Sequence, residues 1–450
     1  MKQNQHKQVN KQLQIKRRTL TLSALVTTSI AVLALVTGAA HAKSTAITNA
    51  TVYTVASQGI LEQATVIIDQ GKITQVYSHQ NTPQTIEADE TIDAKGRILT
   101  PGFIGSMNSL GLVEVGAVSR TRDDKDKKAD ITFDASLAFN PKSTLIAYTR
   151  KGGITSNIVA PRGGEGLFSG QTFAVDLSGE FTSVIEKQNA VLVYLGSETK
   201  GSRAQKLQAL DYKFEDAKKA LAKQKDKKAK DKKEQDKKTK DETEAKEPKR
   251  DEQVINVLLA GEKPLLAYAN RATDLLALLA LKKKYGINLV LVGASDAVLI
   301  SDEIAAAKVP VILSSIENLP SGFDSLHASL TNMATLAKAG VNVILAPKGE
   351  SHNLNQLRFD AGIAVANGLS RADAFSALTA NVADVFKLNS GRIAVGKNAD
   401  LVLWNGDPLE LSTKVALMWI NGKQVSTKSR QDALRDRYLK KSDMPSAYSK

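Results

Sequence analysis

The central part of the chain alternates apolar runs with amphipathic segments, and this alternation limits the folds that it can adopt. KPLLAYA, INLVLVGA, VPVILSS and VNVILAP are short runs rich in Val, Ile and Leu, and segments such as TDLLALLALKKKYG between them have helical spacing. Strands joined by helices pair in parallel, and strands that are apolar throughout are buried on both faces. The pattern therefore predicts an α/β barrel from about residue 100 to residue 388.

Short alternating stretches at both ends of the chain predict a second, all-β module. TVYTVA and ATVIID lie near the N-terminal end and are separated by turn residues, while GRIAVGKNADLVLW and VALMWINGKQV lie near the other end. Alternation of this kind is typical of half-buried antiparallel strands. We assign residues 43–99 and 389–428 to a small β-sandwich domain built from both termini, and residues 429–450 to a C-terminal tail.

The first 42 residues have the features of an export signal. Lys16, Arg17 and Arg18 precede an apolar stretch, and Ala40-His41-Ala42 fits the small-x-small cleavage pattern. The alternative is an uncleaved membrane anchor, because about 20 apolar residues span a bilayer. Thr and Ser interrupt the stretch, which favours cleavage. The chain has no Cys, which suits an oxidising compartment. We therefore predict a periplasmic protein with no membrane attachment after cleavage.

Almost all of the formal net charge of +14 lies in two segments. Residues 1–42 contain six Lys or Arg and no acid, and residues 218–250 contain fifteen Lys or Arg against eight Asp or Glu. The rest of the chain is close to neutral. A nucleic-acid-binding face needs basic residues gathered on a folded surface together with a recognition motif. Because neither is present, we expect no nucleic-acid partner.

Residues 213–250 interrupt the barrel pattern with a Lys-rich, low-complexity segment. It has almost no apolar residues and cannot bury a stripe in the core. It is either a solvated helix held by Lys–Asp and Lys–Glu pairs or a disordered loop. In both cases we expect an insertion that stands off the barrel. A docking arm that binds anionic surfaces is a further alternative.

Five motifs occur in an order that resembles the amidohydrolase superfamily, and most closely its imidazolonepropionase-like members. They are PGFI (residues 101–104), GGEGLFSGQ (163–171), KPLLAYANRATDLLALLAL (263–281), GLSRADAFSALTANVADVFKL (368–388) and GRIAVGKNADLVLW (391–404). The resemblance covers essentially the whole mature chain. It implies a distorted TIM (β/α)8 barrel with a β-sandwich built from both termini, and a homo-oligomer.

The resemblance also implies a metal site, but the residues at the expected ligand positions differ from the family pattern. In such proteins one or two divalent ions, usually zinc, lie at the C-terminal rim of the barrel and activate water to hydrolyse a C–N bond. The matching positions here are Met107 and Ser109 for His-x-His (with Gly105 before them), Tyr268 and Asn270 for the next pair, Gly293 for the following ligand, and Pro347 and Lys348 for Thr-Asp. An ammonium repels a dication, so we expect no metal and no other cofactor.

Two other catalytic arrangements are open from the sequence. A relocated metal site would need ligands from His79, His327 and His352, the histidines of the mature chain, with Asn353 and the carboxylates Glu114, Glu165 and Glu350. His79 lies in the β-module, away from the rim, whereas His352 follows the last barrel strand. A covalent route would use Lys348 with Ser109 and Tyr268. Both routes need contacts that sequence spacing does not establish.

These observations predict a non-catalytic homologue that is exported to the periplasm and acts as a binding or partner subunit. Its partners would be a small-molecule ligand and a catalytically intact amidohydrolase relative. The pocket candidates are Met107, Ser109, Tyr268, Asn270, Gly293, Lys348 and His352. The alternative function is an active hydrolase of cyclic amides or dipeptide-like C–N bonds that uses a metal-free or relocated-metal mechanism.

Overall fold

The computed structural model describes residues 43–196, 201–234, 248–347 and 351–439. The predicted export signal, the distal part of the Lys-rich insertion, Lys348, Glu350 and the last eleven residues of the predicted tail lie outside these ranges. No helix of the described ranges combines the length and the apolar character needed to cross a membrane.

The strands belong to two sheets. In chain order they are β1 (Thr45–Tyr53), β2 (Ile60–Asp69), β3 (Lys72–Tyr77), β4 (Glu90–Asp93), β5 (Ile98–Pro101), β6 (Phe103–Asn108), β7 (Ile154–Val159), β8 (Phe168–Asp176), β9 (Val184–Tyr194), β10 (Leu265–Ala269), β11 (Leu289–Gly293), β12 (Val311–Leu313), β13 (Val343–Leu345), β14 (Leu401–Trp404), β15 (Val415–Ile420) and β16 (Lys423–Gln424).

The helices pack outside the barrel sheet or extend from it. They are α1 (Thr144–Arg150), α2 (Arg203–Glu234), α3 (Arg250–Leu259), α4 (Ala272–Tyr285), α5 (Ser301–Ala306), α6 (Asn332–Lys338), α7 (Leu357–Ala366), α8 (Arg371–Leu378), α9 (Ala380–Val385) and α10 (Arg430–Leu439). Short 3-10 turns add to these, at His79–Asn81, Ser119–Thr121, Ala135–Ala138, Ser295–Ile300 and Ser351–Gln356.

Strands β6 to β13 are neighbours in chain order and form a nearly closed, eight-stranded barrel sheet. This confirms the predicted distorted (β/α)8 architecture. β9 to β13 pair in parallel, and β6 pairs in parallel with β7. β8 is antiparallel to both of its neighbours. The connection from β8 to β9 contains only residues 177–183, and a parallel crossover needs about a dozen residues or more. The distortion therefore follows from connection length.

The second sheet contains strands from both ends of the chain, as the sequence pattern predicts. Its order is β16-β15-β14-β5-β1-β2-β3, and β4 also pairs with β1. The chain passes from this sheet into the barrel at Gly102. A Cβ atom there would lie 2.0 Å from Thr155 Oγ1, so only glycine fits between the two sheets. This explains the Pro-Gly of the PGFI motif.

Trp404 joins the second sheet to the barrel core. It is the last residue of β14 and is fully buried, and its Nε1 donates to Thr100 Oγ1 at 2.9 Å. Its ring lies 5.5 Å from that of Phe103, the first residue of β6. A Cβ on Gly153 would come within 2.3 Å of the Trp404 ring. The C-terminal segment is therefore part of the barrel's own core.

The start of the Lys-rich insertion is helical. α2 begins at Arg203, and its residues Leu210 and Phe214 are buried. The Phe214 ring lies 5.4 Å from that of Tyr285 in α4. The described side chains between Lys218 and Lys225 are mostly exposed. Of the two predicted forms, the helix therefore applies, since α2 extends to Glu234, and α3 packs against α2.

Arg358 is a buried cation that ties α7 to the loop before β15. Its two terminal nitrogens donate to the carbonyl oxygens of Pro408, Glu410 and Thr413 at 2.6 to 2.7 Å. Burial lowers its pKa to about 10, so the guanidinium stays charged at neutral pH. No acid is needed, because three carbonyl dipoles satisfy the charge.

We expect Arg358→Met to lower the free energy of unfolding by roughly 3 kcal/mol, because three carbonyl oxygens lose a charged donor. The matched control is Arg371→Met, which breaks the exposed ion pair to Asp407 at 2.8 Å and should cost no more than about 1 kcal/mol. Thermal and urea unfolding of the two variants measure the difference. Equal losses would contradict the role of Arg358.

Asp400 is a buried carboxyl at the junction of the two sheets. Burial raises its pKa to about 6, although the backbone N–H of Asn421 donates to it at 2.8 Å, and the charge of Asp176 adds to the increase. The folded pKa is therefore above the unfolded value of about 3.9. Since the folded state favours the protonated form, this stabilising contribution is present below about pH 4 and is lost as pH rises through about 6.

We expect Asp400→Asn to remove this pH dependence, because a carboxamide is isosteric and does not ionise. The free energy of unfolding of the variant should change less between pH 4 and 7 than that of the wild type, by an amount on the order of 2 kcal/mol. Urea unfolding at several pH values measures it. If the free energy of unfolding changed with pH by the same amount in the wild type and in Asp400→Asn, Asp400 would not titrate in this range.

Candidate functional site

A cavity of about 730 Å³ lies at the mouth of the barrel. Its wall includes Met107 near the end of β6, Ala160 after β7, Tyr194 at the end of β9, Tyr268 in β10 and Ala346 after β13. These are the C-terminal ends of the strands that run in one direction, the end at which barrel enzymes place their reacting groups. Because β8 runs the other way, Ser169 at its start belongs to the same wall.

The end of β6 is fixed by a pair of asparagines. Asn108 Nδ2 donates to Asn157 Oδ1 at 2.7 Å, and Asn157 Nδ2 donates to Asn108 Oδ1 at 3.0 Å. Both residues are buried. Met107, in the left-handed region with φ of 54°, lines the cavity. The reciprocal amide contact therefore sets the backbone that presents Met107 and Ser109 to the cavity.

Ser109 contacts another hydroxyl and no base. Its Oγ lies 3.4 Å from Ser351 Oγ, and both residues are buried. A nucleophilic serine needs a general base within hydrogen-bond distance. Among the residues that the structure describes, Ser109 has no such partner. Lys348, the other member of the predicted covalent set, is not among them.

Tyr268, Asn270 and Gly293 form one contact group on β10 and β11. The Tyr268 ring lies 5.1 Å from that of Tyr194 with an interplanar angle of 32°. Asn270 Oδ1 accepts from the backbone N–H and the hydroxyl of Ser295 at 3.4 and 3.3 Å. Gly293 has φ of 81°, and a Cβ there would lie 2.8 Å from Asn270 Oδ1 and 3.3 Å from the Tyr268 ring. Glycine at this position therefore allows Asn270 and Tyr268 to approach β11.

The other residues named from the sequence are distributed unevenly. Glu165 and Pro347 line the cavity, whereas Glu114 accepts from Asn140 and Ser143 at 2.8 and 2.9 Å. His352 is exposed and is not part of the cavity wall. His79 starts a 3-10 turn next to β3 of the second sheet.

His327 belongs to a loop that sequence reasoning did not identify as part of the site. Residues 314–331, here called the cavity loop, connect β12 to α6 and supply Ser314, Ser321, Ser325, Ala328 and Ser329 to the wall. His327 Nδ1 lies 2.8 Å from Asp296 Oδ1, and Asp324 lies 3.0 Å from Arg203 and 2.6 Å from Arg271. Ion pairs therefore hold the cavity loop against α2 and α4.

Apart from the carboxylates of Glu165 and Glu317, the side chains of the cavity wall are poor ligands for a divalent metal. Within the described ranges, no three His, Asp or Glu side chains are grouped so that they could hold an ion. The wall instead presents the thioether of Met107, the phenol of Tyr268, the amide of Asn270 and no side chain at Gly293. Zinc sites are built from imidazole, thiolate and carboxylate. The described residues do not fit a catalytic metal.

Part of the chain matches a known protein family. Residues 286–425 match the model of the amidohydrolase family. That segment is similar in sequence to the family and contains β11 to β16, and therefore both the last barrel strands and the returning strands of the second sheet. None of the curated proteins matches the chain.

Solved structures of amidohydrolases share the fold. An amidohydrolase from Thermotoga maritima MSB8 is 24% identical, and the similarity covers 85% of this chain and 99% of that one with a TM-score of 0.72. The A. niger ochratoxinase is 16% identical over 85% and 96% of the two chains, with a TM-score of 0.52. A triazine hydrolase from Arthobacter aurescens is 15% identical over 88% and 99%, with a TM-score of 0.50. At these identities the similarity shows the fold.

The contact of Gly293 with Asn270 predicts that a methyl group there is more costly than at other positive-φ glycines. We expect Gly293→Ala to destabilise the protein more than Gly286→Ala by at least about 1 kcal/mol, because it adds a clash to the backbone strain. Gly286 has φ of 74°, and a Cβ there would have no atom within 4 Å, so it reports the backbone strain alone. Thermal unfolding compares the two, and equal shifts would contradict the predicted clash.

Proposed function

We propose that this chain, which carries amidohydrolase-family sequence, is a non-catalytic protein that binds a small molecule in the cavity at the barrel mouth. One observation supports the proposal most directly. The positions at which the family motifs place metal ligands hold Met107, Tyr268, Asn270 and Gly293, and all four line the cavity. The frame of the site is kept, while the side chains that would bind an ion are absent from these positions.

The chemistry of these side chains supports binding and does not support hydrolysis. Catalytic zinc needs three protein ligands and an open position for water, and the ion lowers the pKa of that water to about 7. A thioether, a carboxamide and a phenol are poor zinc ligands beside imidazole, thiolate and carboxylate. The same groups can contact an organic ligand, since ligand pockets combine aromatic walls with a few polar side chains.

The proposal includes the cellular setting expected from the sequence. The mature protein acts in the periplasm after cleavage of residues 1–42, as a homo-oligomer or beside a catalytically intact amidohydrolase relative. The finer relationship to imidazolonepropionase-like proteins is part of the same proposal. A sequence without Cys and with an export signal supports the location.

Metal analysis of the full-length protein tests the function. After purification without chelators, we expect zinc, manganese, iron and nickel each to be far below one ion per chain, because the described wall has no imidazole and no group of three ligands. The same protein, dialysed against zinc and then desalted, controls for metal lost during purification. Addition of zinc should leave the thermal unfolding midpoint unchanged.

Stoichiometric metal that also raises the unfolding midpoint would overturn the non-catalytic assignment. Turnover of cyclic amides or dipeptides that persists in EDTA and disappears in Lys348→Ala would instead support the metal-free hydrolase.

A further inference from the structure

Lys206 belongs to the wall of the cavity and lies on α2, the helix that continues into the Lys-rich insertion. It lies in the first turn of α2, where its backbone N–H donates to Ser202 O at 3.1 Å. Its side chain lines the cavity together with Tyr194 and Tyr268. The remaining lysines of the helix follow it along a segment that leaves the barrel.

The charged groups around Lys206 are matched to one another. Arg203, one turn before Lys206, lies 3.4 Å from Asp274 and 3.0 Å from Asp324, and Arg271 lies 2.6 Å from Asp324. Two arginines therefore face two aspartates. The charges of the two arginines and the two aspartates balance, so that neither of these aspartates is left to pair with the amine of Lys206.

Lys206 has no ion-pair partner in the part of the chain that the structure describes. Among the residues that the structure describes, no carboxylate lies within ion-pair distance of its amine. Burial lowers the pKa of Lys206, and no neighbouring acid offsets this effect. A partly buried ammonium without a counter-charge is costly, and an anion that enters the cavity would relieve this cost.

The wall of the cavity also contains two carboxylates and a second cation. Glu165 and Glu317 line the cavity, and neither is free of other interactions. Arg162, the other cation of the wall, lies 3.5 Å from the buried carboxylate of Asp124. Lys206 is therefore the wall cation best placed to contact a ligand.

The rest of the wall suits an organic body. The stacked rings of Tyr194 and Tyr268, with Met107, give an aromatic and apolar surface. The hydroxyls of Ser321, Ser325 and others of the cavity loop add donors. A volume of about 730 Å³ lies in the range of pockets that enclose a small organic molecule.

We propose that the cavity binds a small organic anion, in which an aromatic or apolar body contacts the tyrosines and a carboxylate or phosphate group binds the ammonium of Lys206. The inference rests on the proposed binding function and adds the chemical class of the ligand. The N-terminal end of α2 supports it further, because the helix dipole favours negative charge there. The charged hydrogen bond to Lys206 contributes specificity for acids over neutral analogues.

Calorimetric titration of the full-length protein with matched probes tests the proposal. 3-Phenylpropionate and phenyl phosphate present the two anionic groups on similar bodies, and 3-phenylpropionamide is the neutral analogue of the first. We expect at least one anion to bind, and the amide to bind at least about tenfold more weakly than its acid. The probe that binds more tightly then shows whether the cavity prefers a carboxylate or a phosphate group.

Variants on the same helix separate the role of Lys206 from that of general charge. Lys206→Met should weaken binding of the anion at least about tenfold, and Lys206→Arg should keep most of it. Lys213→Met removes an exposed lysine two turns further along α2 and should leave the affinity unchanged. Affinity of the wild type for 3-phenylpropionate should also fall as pH rises through the lowered pKa of Lys206, whereas that of Lys206→Arg should not.

Three results would overturn the inference: neither anion binds, the acid and the amide bind equally, or Lys206→Met behaves as Lys213→Met does. Metal analysis of the same preparation keeps this failure distinct from failure of the proposed function. Metal-free protein that binds acid and amide equally keeps its binding role and loses only the assigned charge preference. Metal-loaded, hydrolytically active protein loses the non-catalytic assignment, whatever Lys206 does.

Discussion

The contact between Trp404 and the first barrel strand is the constraint on which the rest of the structure depends. The indole is fully buried, donates to Thr100 and packs against Phe103. Since Thr100 and Trp404 lie about 300 residues apart in the chain, the barrel core is complete only when the C-terminal strands have returned to it. Arg358 extends this contact, because its guanidinium lies 5.5 Å from the Trp404 ring and binds the loop that follows β14. The frame of the cavity therefore depends on strands that precede the barrel in the chain and on strands that follow it.

The sequence predicted the parts of the fold that local patterns encode. Strands β10 to β13 are apolar throughout, and the strands of the second sheet alternate, so each carries its own signal. The hairpin of β8 and β9 was missed because FSGQTFAVD mixes polar and apolar residues although every position of β8 is buried. Gln171 and Thr172 are satisfied there by Lys263 and Asn189. Such partners are distant in sequence, and no periodicity reveals them.

The residues of the cavity also divide into those that local sequence patterns predict and those that only tertiary packing places there. Met107, Tyr268, Asn270 and Gly293 could be grouped from the sequence because each lies at or next to the end of a barrel strand, and all four line one cavity. Lys206 could not be identified, since in the sequence it is one lysine shortly before a Lys-rich segment. The packing of Leu210 and Phe214, together with the ion pairs of Arg203, fixes the start of α2 against the barrel. The ion pairs of the cavity loop likewise join residues from separate elements.

Gly293 makes it difficult for a single substitution to add a side chain at the end of β11. The φ angle of Gly293 lies in the left-handed region, which residues with a side chain rarely adopt. Asn270 and Tyr268 occupy the space that a side chain would need. A codon change at 293 alone therefore meets strain and a clash together. A functional side chain at this position would therefore require substitutions at two or more positions. The packing of Asn270 and Tyr268 limits which single substitutions the end of β11 can accept.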